Sequence, residues 1–307
     1  MMKILITGSN GLLGQKLVYQ LLQTPGITVI ATSKGENRIS RKDGYEYYSL
    51  DISNRDEVLN IIGKVNPDCI INTAAMTNVD ACELDPAGCK ALNVDAVNYI
   101  IEAIQNADTH LIHLSTDFVF DGEEGPYSEE DIPNPLSIYA KSKLESEQAV
   151  MNSGDNWAVI RTIIIYGVTD DTQRSNLVLW TKSSLEQHKK INVITDQFRS
   201  PTLAEDLADA CISAALRHAT GIYHVAGPEE DTDSIINLVK KIAVFYNLDT
   251  SLINPVSSAE LKQPAKRPAR TGFKLDKARR ELGYHPHTLP EGLKIISNQL
   301  ERKPANK

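Results

Sequence analysis

Through the first half of the chain, short runs of consecutive apolar residues alternate with longer stretches in which apolar side chains recur every three or four positions. Parallel strands buried on both faces, joined by helices that cover the sheet, read this way. The pattern predicts strands near Lys3–Thr7, Thr28–Ala31, Tyr45–Leu50, Cys69–Asn72, His110–Ser115 and Trp157–Thr162. A helix over Leu12–Leu22 carries Leu13, Leu17 and Leu21 on one face, and Asp85-Pro86 offers an N-cap and a first-turn proline to a helix over Ala87–Gln105. The second half is less regular. Strands at Ile191–Ile194 and Ile222–Val225 are expected among helices near Leu177–Glu186, Ala204–Arg217, Ser234–Tyr246 and Asp276–Leu282. Thr202-Leu203-Ala204-Glu205 has capping-box spacing. Pro255–Arg270, with Pro264, Pro268, Lys262, Lys266 and Arg267, is expected as a basic surface loop, and Glu301–Lys307 as a frayed tail.

These elements predict an α/β fold: a doubly wound parallel sheet of the Rossmann type over residues 1–162, rejoined by a helix over 203–218, with a smaller C-terminal α/β lobe over 163–307. A length of 307 residues with 41% hydrophobic and 23% charged positions suits an ordinary globular chain. The net charge of −8 argues against a nucleic-acid footprint and for a small-molecule partner. Cys69, Cys82, Cys89 and Cys211 form no CxxC pair, and no signal sequence or membrane span is expected, so the chain reads as cytoplasmic. A homodimer is compatible with the sequence.

Gly8-Ser9-Asn10-Gly11-Leu12-Leu13-Gly14 follows a strand and opens a helix. Its glycines allow a tight turn, a close approach by a pyrophosphate and helix packing, which marks a dinucleotide site. The next strand ends Thr32-Ser33-Lys34 without the carboxylate that holds a ribose 2′-hydroxyl in many such sites. Lys34, Arg38 and Arg41 favour a 2′-phosphate, hence NADPH, with NADH as the alternative. At Asp51-Ile52, Asp51 suits either an adenine amino group or the cap of a helix beginning near Arg55. Tyr139 and Lys143, four residues apart, share a helix face. A phenol titrating near pH 10 becomes a usable proton donor when a neighbouring ammonium stabilises its phenolate.

With both motifs placed, the chain resembles the extended short-chain dehydrogenase/reductases, and within them the dTDP-4-dehydrorhamnose reductase family. The resemblance spans nearly the whole chain. It runs through Asn72–Asp80, Asn93-Val94, the block Ser115-Thr116-Asp117-Phe118-Val119-Phe120-Asp121-Gly122, Arg161-Thr162, Asp196–Thr202 and Arg267-Pro268. It implies catalytic Thr116, Tyr139 and Lys143, with Thr116 holding a substrate carbonyl, Tyr139 delivering the proton and Lys143 gripping the nicotinamide ribose. It also implies cofactor contacts from Thr73, Ala74, Ala75 and Asn93. On the sugar side it implies Thr77, Val79, Asp117 and Phe118, with Arg267 at the nucleotide diphosphate. The expected reaction is NADPH-dependent reduction of a dTDP-4-keto-6-deoxy sugar.

Three departures fall on the sugar side: Phe118 where Tyr is common, Ile164 where an aromatic residue is common, and Arg199 where Gly is usual. Gln15-Lys16 lacks the Glu that some family members use for magnesium, and His285-Pro286-His287 reads as a turn, so no metal is expected. Phe118 also removes the Glu that a dehydratase would carry there. The rivals are another sugar-nucleotide reductase or epimerase of the superfamily, and a non-catalytic nucleotide-binding regulatory subunit resembling that of methionine adenosyltransferase.

Overall fold

A computed structural model describes residues 1–171 and 175–302. The expectation for the tail therefore lies, beyond Arg302, outside the described residues. The chain opens with β1 (Met2–Thr7), whose Ile4, Leu5 and Ile6 are wholly buried because helices cover both faces of the sheet. Then follow α1 (Leu12–Leu21), β2 (Ile27–Ser33), β3 (Glu46–Ser49), α2 (Arg55–Val65) and β4 (Cys69–Asn72). Next come α3 (Val79–Leu84), α4 (Pro86–Lys90), a π-helical turn at Ala91–Asp95 and α5 (Ala96–Ile104). The helix expected over Ala87–Gln105 is thus interrupted, although Asp85 does accept from Gly88 N and Pro86 does begin α4. The half closes with β5 (His110–Thr116), α6 (Ile138–Met151) and β6 (Trp157–Thr162).

The second half contains β7 (Ile165–Tyr166), α7 (Leu177–Glu186), β8 (Ile191–Ile194), β9 (Phe198–Arg199), β10 (Thr202–Leu203), α8 (Ala204–Arg217) and β11 (Gly221–Val225). It ends with β12 (Asp233–Ser234), α9 (Ile235–Phe245), β13 (Ile253–Val256), α10 (Ser258–Leu261), α11 (Asp276–Leu282) and α12 (Leu289–Arg302). Two local expectations are corrected. Thr202 makes no capping box, because its hydroxyl donates to the Ile163 carbonyl and Leu203 takes the N-cap position without a side-chain bond. Pro255–Arg270 is not a bare loop: Pro255 lies in β13, paired with β8, and Ser257 with Glu260 forms a capping box for α10.

The main sheet has the order β11-β6-β5-β4-β1-β2-β3 with every pair parallel. Its order reverses between β1 and β4, and in such sheets ligands bind outside the carboxyl ends at that point. One face is packed by α1, whose Leu13, Leu17 and Leu21 meet Ala208, Cys211 and Ala215 of α8. The other face is packed by α2 and α5 through Val58, Ile62, Val97 and Ile100. The sheet draws on the chain beyond residue 162: α8, within the 203–218 helix expected to rejoin it, covers it, and β11, from the segment expected in the smaller lobe, extends its edge by pairing with β6. The remaining elements build their own cores, with Tyr166, Leu203, Leu238, Ile242 and Leu293 in one and Val193, Val239 and Ile253 in another. No helix among the described residues is long and apolar enough to cross a membrane.

Candidate active site

At the reversal point the chain leaves β1 through Gly8, whose φ of +67° belongs to the left-handed region that favours glycine. A Cβ on Gly14 would lie 2.4 Å from the Gly8 carbonyl oxygen, so only glycine lets α1 start this close to the turn. Gly11 caps α1 without a side-chain bond, leaving first-turn N–H groups for an anion. The Ser9 hydroxyl is buried with no protein partner. A backbone cradle with an orphaned hydroxyl and an uncapped helix fits a dinucleotide pyrophosphate.

Asn10 ties this turn to the segment after β2, donating to the Glu36 carbonyl at 2.8 Å and accepting from Arg38 N at 2.8 Å. The Ser33 carbonyl accepts from Leu50 N. Lys34 pairs with Asp51 at 2.6 Å, Arg38 with Asp171 at 3.3 Å and Arg41 with Asp43 at 3.2 Å. Lys34 holds the Asp51 carboxyl below its ordinary range. Asp51 does not cap α2, which takes Asn54 instead, and Ile52 is buried in the core beside Val58.

A cavity of about 380 Å³ runs from Gly11, Leu12, Leu13 and Gly14, past Thr73, Ala74 and Ala75, to Thr116, Tyr139 and Lys143. Its far end is walled by Thr77, Val79, Asp117, Phe118 and Ile164. The structure therefore brings together both motifs, 125 positions apart by the difference of 139 and 14 in the numbering. Thr116 ends β5, and Ser137 caps α6 by accepting from Ala140 N, which sets Tyr139 and Lys143 in its first two turns. Burial pushes the Tyr139 phenol well above its ordinary value, while a hydrogen bond to Thr116 opposes the rise. Burial likewise brings the Lys143 ammonium down to about 8. A second-layer ion pair anchors the same helix: Glu147, wholly buried, binds Arg161 of β6 through contacts of 3.0 and 2.7 Å.

Asn93 is not on the cavity wall. From the π-helical turn it holds the Met76 backbone at both N–H and carbonyl and donates to Ser142 Oγ at 3.0 Å, tying the strand-end loop to α6. Arg267 is not among the residues lining the cavity; it is bound to Asp80, next to the lining residue Val79, through two contacts, 3.0 and 2.8 Å. Arg199 is 1% exposed and lies under Phe118, its guanidinium 5.4 Å from the ring centre. It pairs with Asp117 at 3.3 Å and donates to the carbonyls of Pro268 and Ala269. Burial raises the Asp117 carboxyl although Arg199 and Thr271 oppose it. Arg199 is thus committed to holding the 268–271 segment, and Asp117, bound to Arg199 and Thr271, keeps part of its surface on the cavity.

Sequence reasoning put Ile164 on the sugar side but missed its strain, and it missed Ser175, Asn176 and His113 altogether. Ile164 has φ +27°, a strained conformation for a β-branched residue, and Thr202 N holds the carbonyls of Ile163 and Ile164. Ser175 and Asn176 reach the cavity from the start of α7. His113, three residues before Thr116 in β5, reaches Lys143 from behind the wall. None has a sequence signal that a buried core residue lacks. Among the described residues no group of three or more His, Cys, Asp or Glu side chains could hold a metal ion.

The RmlD substrate binding domain family matches residues 2–302. A "Probable low-salt glycan biosynthesis reductase Agl14" of Haloferax volcanii is 32% identical over 295 residues, 95% of this chain and 96% of that protein. A dTDP-4-dehydrorhamnose reductase of Aggregatibacter actinomycetemcomitans is 32% identical, covering 96% of this chain and 98% of its own. The beta subunit of methionine adenosyltransferase 2 of Bos taurus is 31% identical over 84% of this chain and 76% of its own. The crystal structure of dTDP-4-dehydrorhamnose reductase from Bacillus anthracis in complex with NADP superposes with a TM-score of 0.82 at 27% identity, covering 97% of this chain and 100% of that one.

Proposed function

The chain belongs to the RmlD substrate binding domain family, and from that premise we propose that it is an NADPH-dependent reductase of the 4-keto group of a dTDP-4-keto-6-deoxy sugar. The observation that carries this is the single cavity joining the glycine turn to Thr116, Tyr139 and Lys143. NADPH supplies the hydride when bound. Thr116 orients the substrate carbonyl, Tyr139 delivers the proton to its oxygen, and Lys143 binds the nicotinamide ribose and supports Tyr139 electrostatically.

In this reading the first-turn amides of α1 and the Ser9 hydroxyl hold the pyrophosphate, and Lys34, Arg38 and Arg41 exchange their carboxylate partners for the 2′-phosphate. Arg267 leaves Asp80 for the sugar diphosphate, since a guanidinium matches phosphate oxygens two at a time. Residues 1–162 with 204–225 form the nucleotide domain, and most of 163–307 forms the sugar lobe. All four cysteines are free and buried, which supports a cytoplasmic setting. The net charge of −8 supports a small-molecule partner over nucleic acid.

The test mixes purified protein, NADPH and dTDP-4-dehydrorhamnose and follows the absorbance of the reduced cofactor. Oxidation that Tyr139→Phe slows on the order of 10²- to 10⁴-fold is the expected result, from the usual weight of a general acid. No oxidation, or an unchanged rate in Tyr139→Phe, overturns the reading. Separate titrations with NADPH and NADH decide the cofactor, and tighter NADH binding would remove the role given to Lys34, Arg38 and Arg41. The similarity to the methionine adenosyltransferase subunit favours one rival, a regulatory role, which tight association with a methionine adenosyltransferase catalytic subunit and no turnover would establish.

A further inference from the structure

From the cavity wall inward runs a chain of polar side chains, Thr7, Asn72, His113, Ser146 and Lys143, none more than 3% exposed, of which Asn72 and Lys143 line the cavity. Thr7 Oγ1 meets Asn72 Oδ1 at 2.6 Å, Asn72 Nδ2 meets His113 Nδ1 at 3.0 Å, and His113 Nε2 lies 3.0 Å from Ser146 Oγ and 3.1 Å from Lys143 Nζ.

Each hydrogen in this chain can be assigned by counting donors. Asn72 Oδ1, an amide oxygen, can only accept, so Thr7 Oγ1 gives it its proton while itself accepting from Ala74 N. That leaves the Asn72 amide N–H facing His113 Nδ1, which must accept. At the other end Ser146 Oγ gives its one proton to the Lys143 carbonyl at 2.7 Å, so toward His113 it can only accept. Both ends require the imidazole proton on Nε2. Burial and the neighbouring Lys143 hold His113 neutral by pushing its pKa well below the ordinary value.

We propose that His113, fixed as its Nε2–H tautomer, is a positioning residue that offers a hydrogen-bond donor to Lys143 Nζ, so that Lys143 can give up a proton to Tyr139 during reduction. This rests on the reductase reading above. With the electron pair arriving at the carbonyl carbon as hydride, the carbonyl oxygen takes the phenolic proton of Tyr139. The tyrosinate then takes a proton from the Lys143 ammonium, and the amine left behind shares His113 Nε2–H with Ser146 Oγ. A proton from solvent restores the ammonium. An ammonium has no lone pair and faces an N–H dipole with its positive end toward it, whereas an amine is satisfied there. The other groups facing Lys143 are Glu147 on its own helix and Cys89 at the end of α4, and both favour the ammonium. Glu147 is held by Arg161, which leaves His113 as the polar partner that favours the amine.

The ε-carbon shift of Lys143, read by NMR on the full-length, cofactor-free protein with ¹³C-labelled lysine and assigned by Lys143→Arg, reports the midpoint directly. Wild-type protein should titrate near 8. His113→Phe keeps the ring and removes the donor, and should raise the midpoint by about one pH unit, a tenfold change in amine fraction. The alkaline limb of kcat should move with it. His113→Gln presents an amide N–H to the same place and should stay within about half a unit of wild type. An unmoved midpoint in His113→Phe, or equal shifts with Phe and Gln, overturns the proposal. Should His113→Phe not fold, Ser146→Ala removes the competing acceptor and should lower the midpoint, and an unmoved or raised one is equally fatal. If the NMR shifts appear while the wild type leaves the keto-sugar unreduced, the reductase reading fails and the tautomer assignment stands.

Discussion

The two ends of the cavity are built differently. The inner wall comes from the ends of β1, β4 and β5 and from α6, and it is backed by buried polar networks: Asn72 to His113, Asn93 to Ser142, Glu147 to Arg161. The outer wall comes from short helices, loops and a two-residue strand, with apolar faces from Val79, Phe118 and Ile164, and beside it the ion pairs Asp80 with Arg267 and Asp117 with Arg199 fasten one segment to another. Proton transfer needs groups fixed to within a fraction of an ångström, which regular elements provide. Choice of sugar needs a surface that can change without disturbing the sheet, which loops provide. All three departures from the common family residues, Phe118, Ile164 and Arg199, lie on the outer side.

The sharpest way to break this contrast is at Glu147. Glu147→Ala leaves the Arg161 charge buried and unpaired, and should cost about 3–5 kcal/mol in a denaturant titration. A loss under about 1 kcal/mol, the scale of an exposed pair, would show the inner wall to be no more rigid than the outer. Arg267→Ala at the outer end should act on binding: KM for the sugar nucleotide rising about tenfold, worth about 1.4 kcal/mol, with kcat little changed. An equal fall in kcat would move Arg267 to the chemistry.

Ile164→Gly tests the strained turn. Deleting a packed Ile side chain commonly costs 2–5 kcal/mol, roughly, when the site cannot collapse, but strain of about 1–3 kcal/mol is released here. The loss should therefore be about 1–3 kcal/mol smaller than that of an equivalent truncation at an unstrained position of like burial. A loss as large as that of an ordinary core truncation would mean that the backbone stores no strain. The smallest effect concerns acid. Arg267 holds the Asp80 carboxyl below its ordinary value, so the pair stabilises the fold above the unfolded carboxyl pKa and that contribution vanishes as pH falls through the lower folded value. Asp80 is about one-third exposed, with 32% of its side chain accessible, which limits the effect to a fraction of a kcal/mol. Stability curves of wild type and Asp80→Asn should therefore converge on acidification, and a gap that widens as pH falls contradicts the assignment.

Much of the inner wall was legible beforehand because its signals are local. Consecutive apolar residues marked the central strands, and glycines after β1 marked a turn that no other residue can make. The spacing of Tyr139 and Lys143 marked one helix face. Helix α6 is an instructive exception to pattern reading: its buried stripe is Tyr139, Ser142, Lys143, Ser146 and Glu147, polar residues that hydropathy assigns to solvent. Burying them is tolerated because partners arrive from β5, β6 and the π-helical turn, none of them adjacent in sequence.

What the sequence by itself determined is the class of fold, the glycine turn and the shared helix face of Tyr139 and Lys143, since each follows from steric and periodic rules acting over a few positions. Tertiary structure alone decided which cations are already paired, as Lys34 is with Asp51 and Arg267 with Asp80. It also decided that β11 returns to the main sheet, that Arg199 lies beneath Phe118, and which nitrogen of His113 carries its proton. Those are outcomes of long-range contact, where a charge or a hydrogen is assigned by whichever partner the fold brings within about 3 Å.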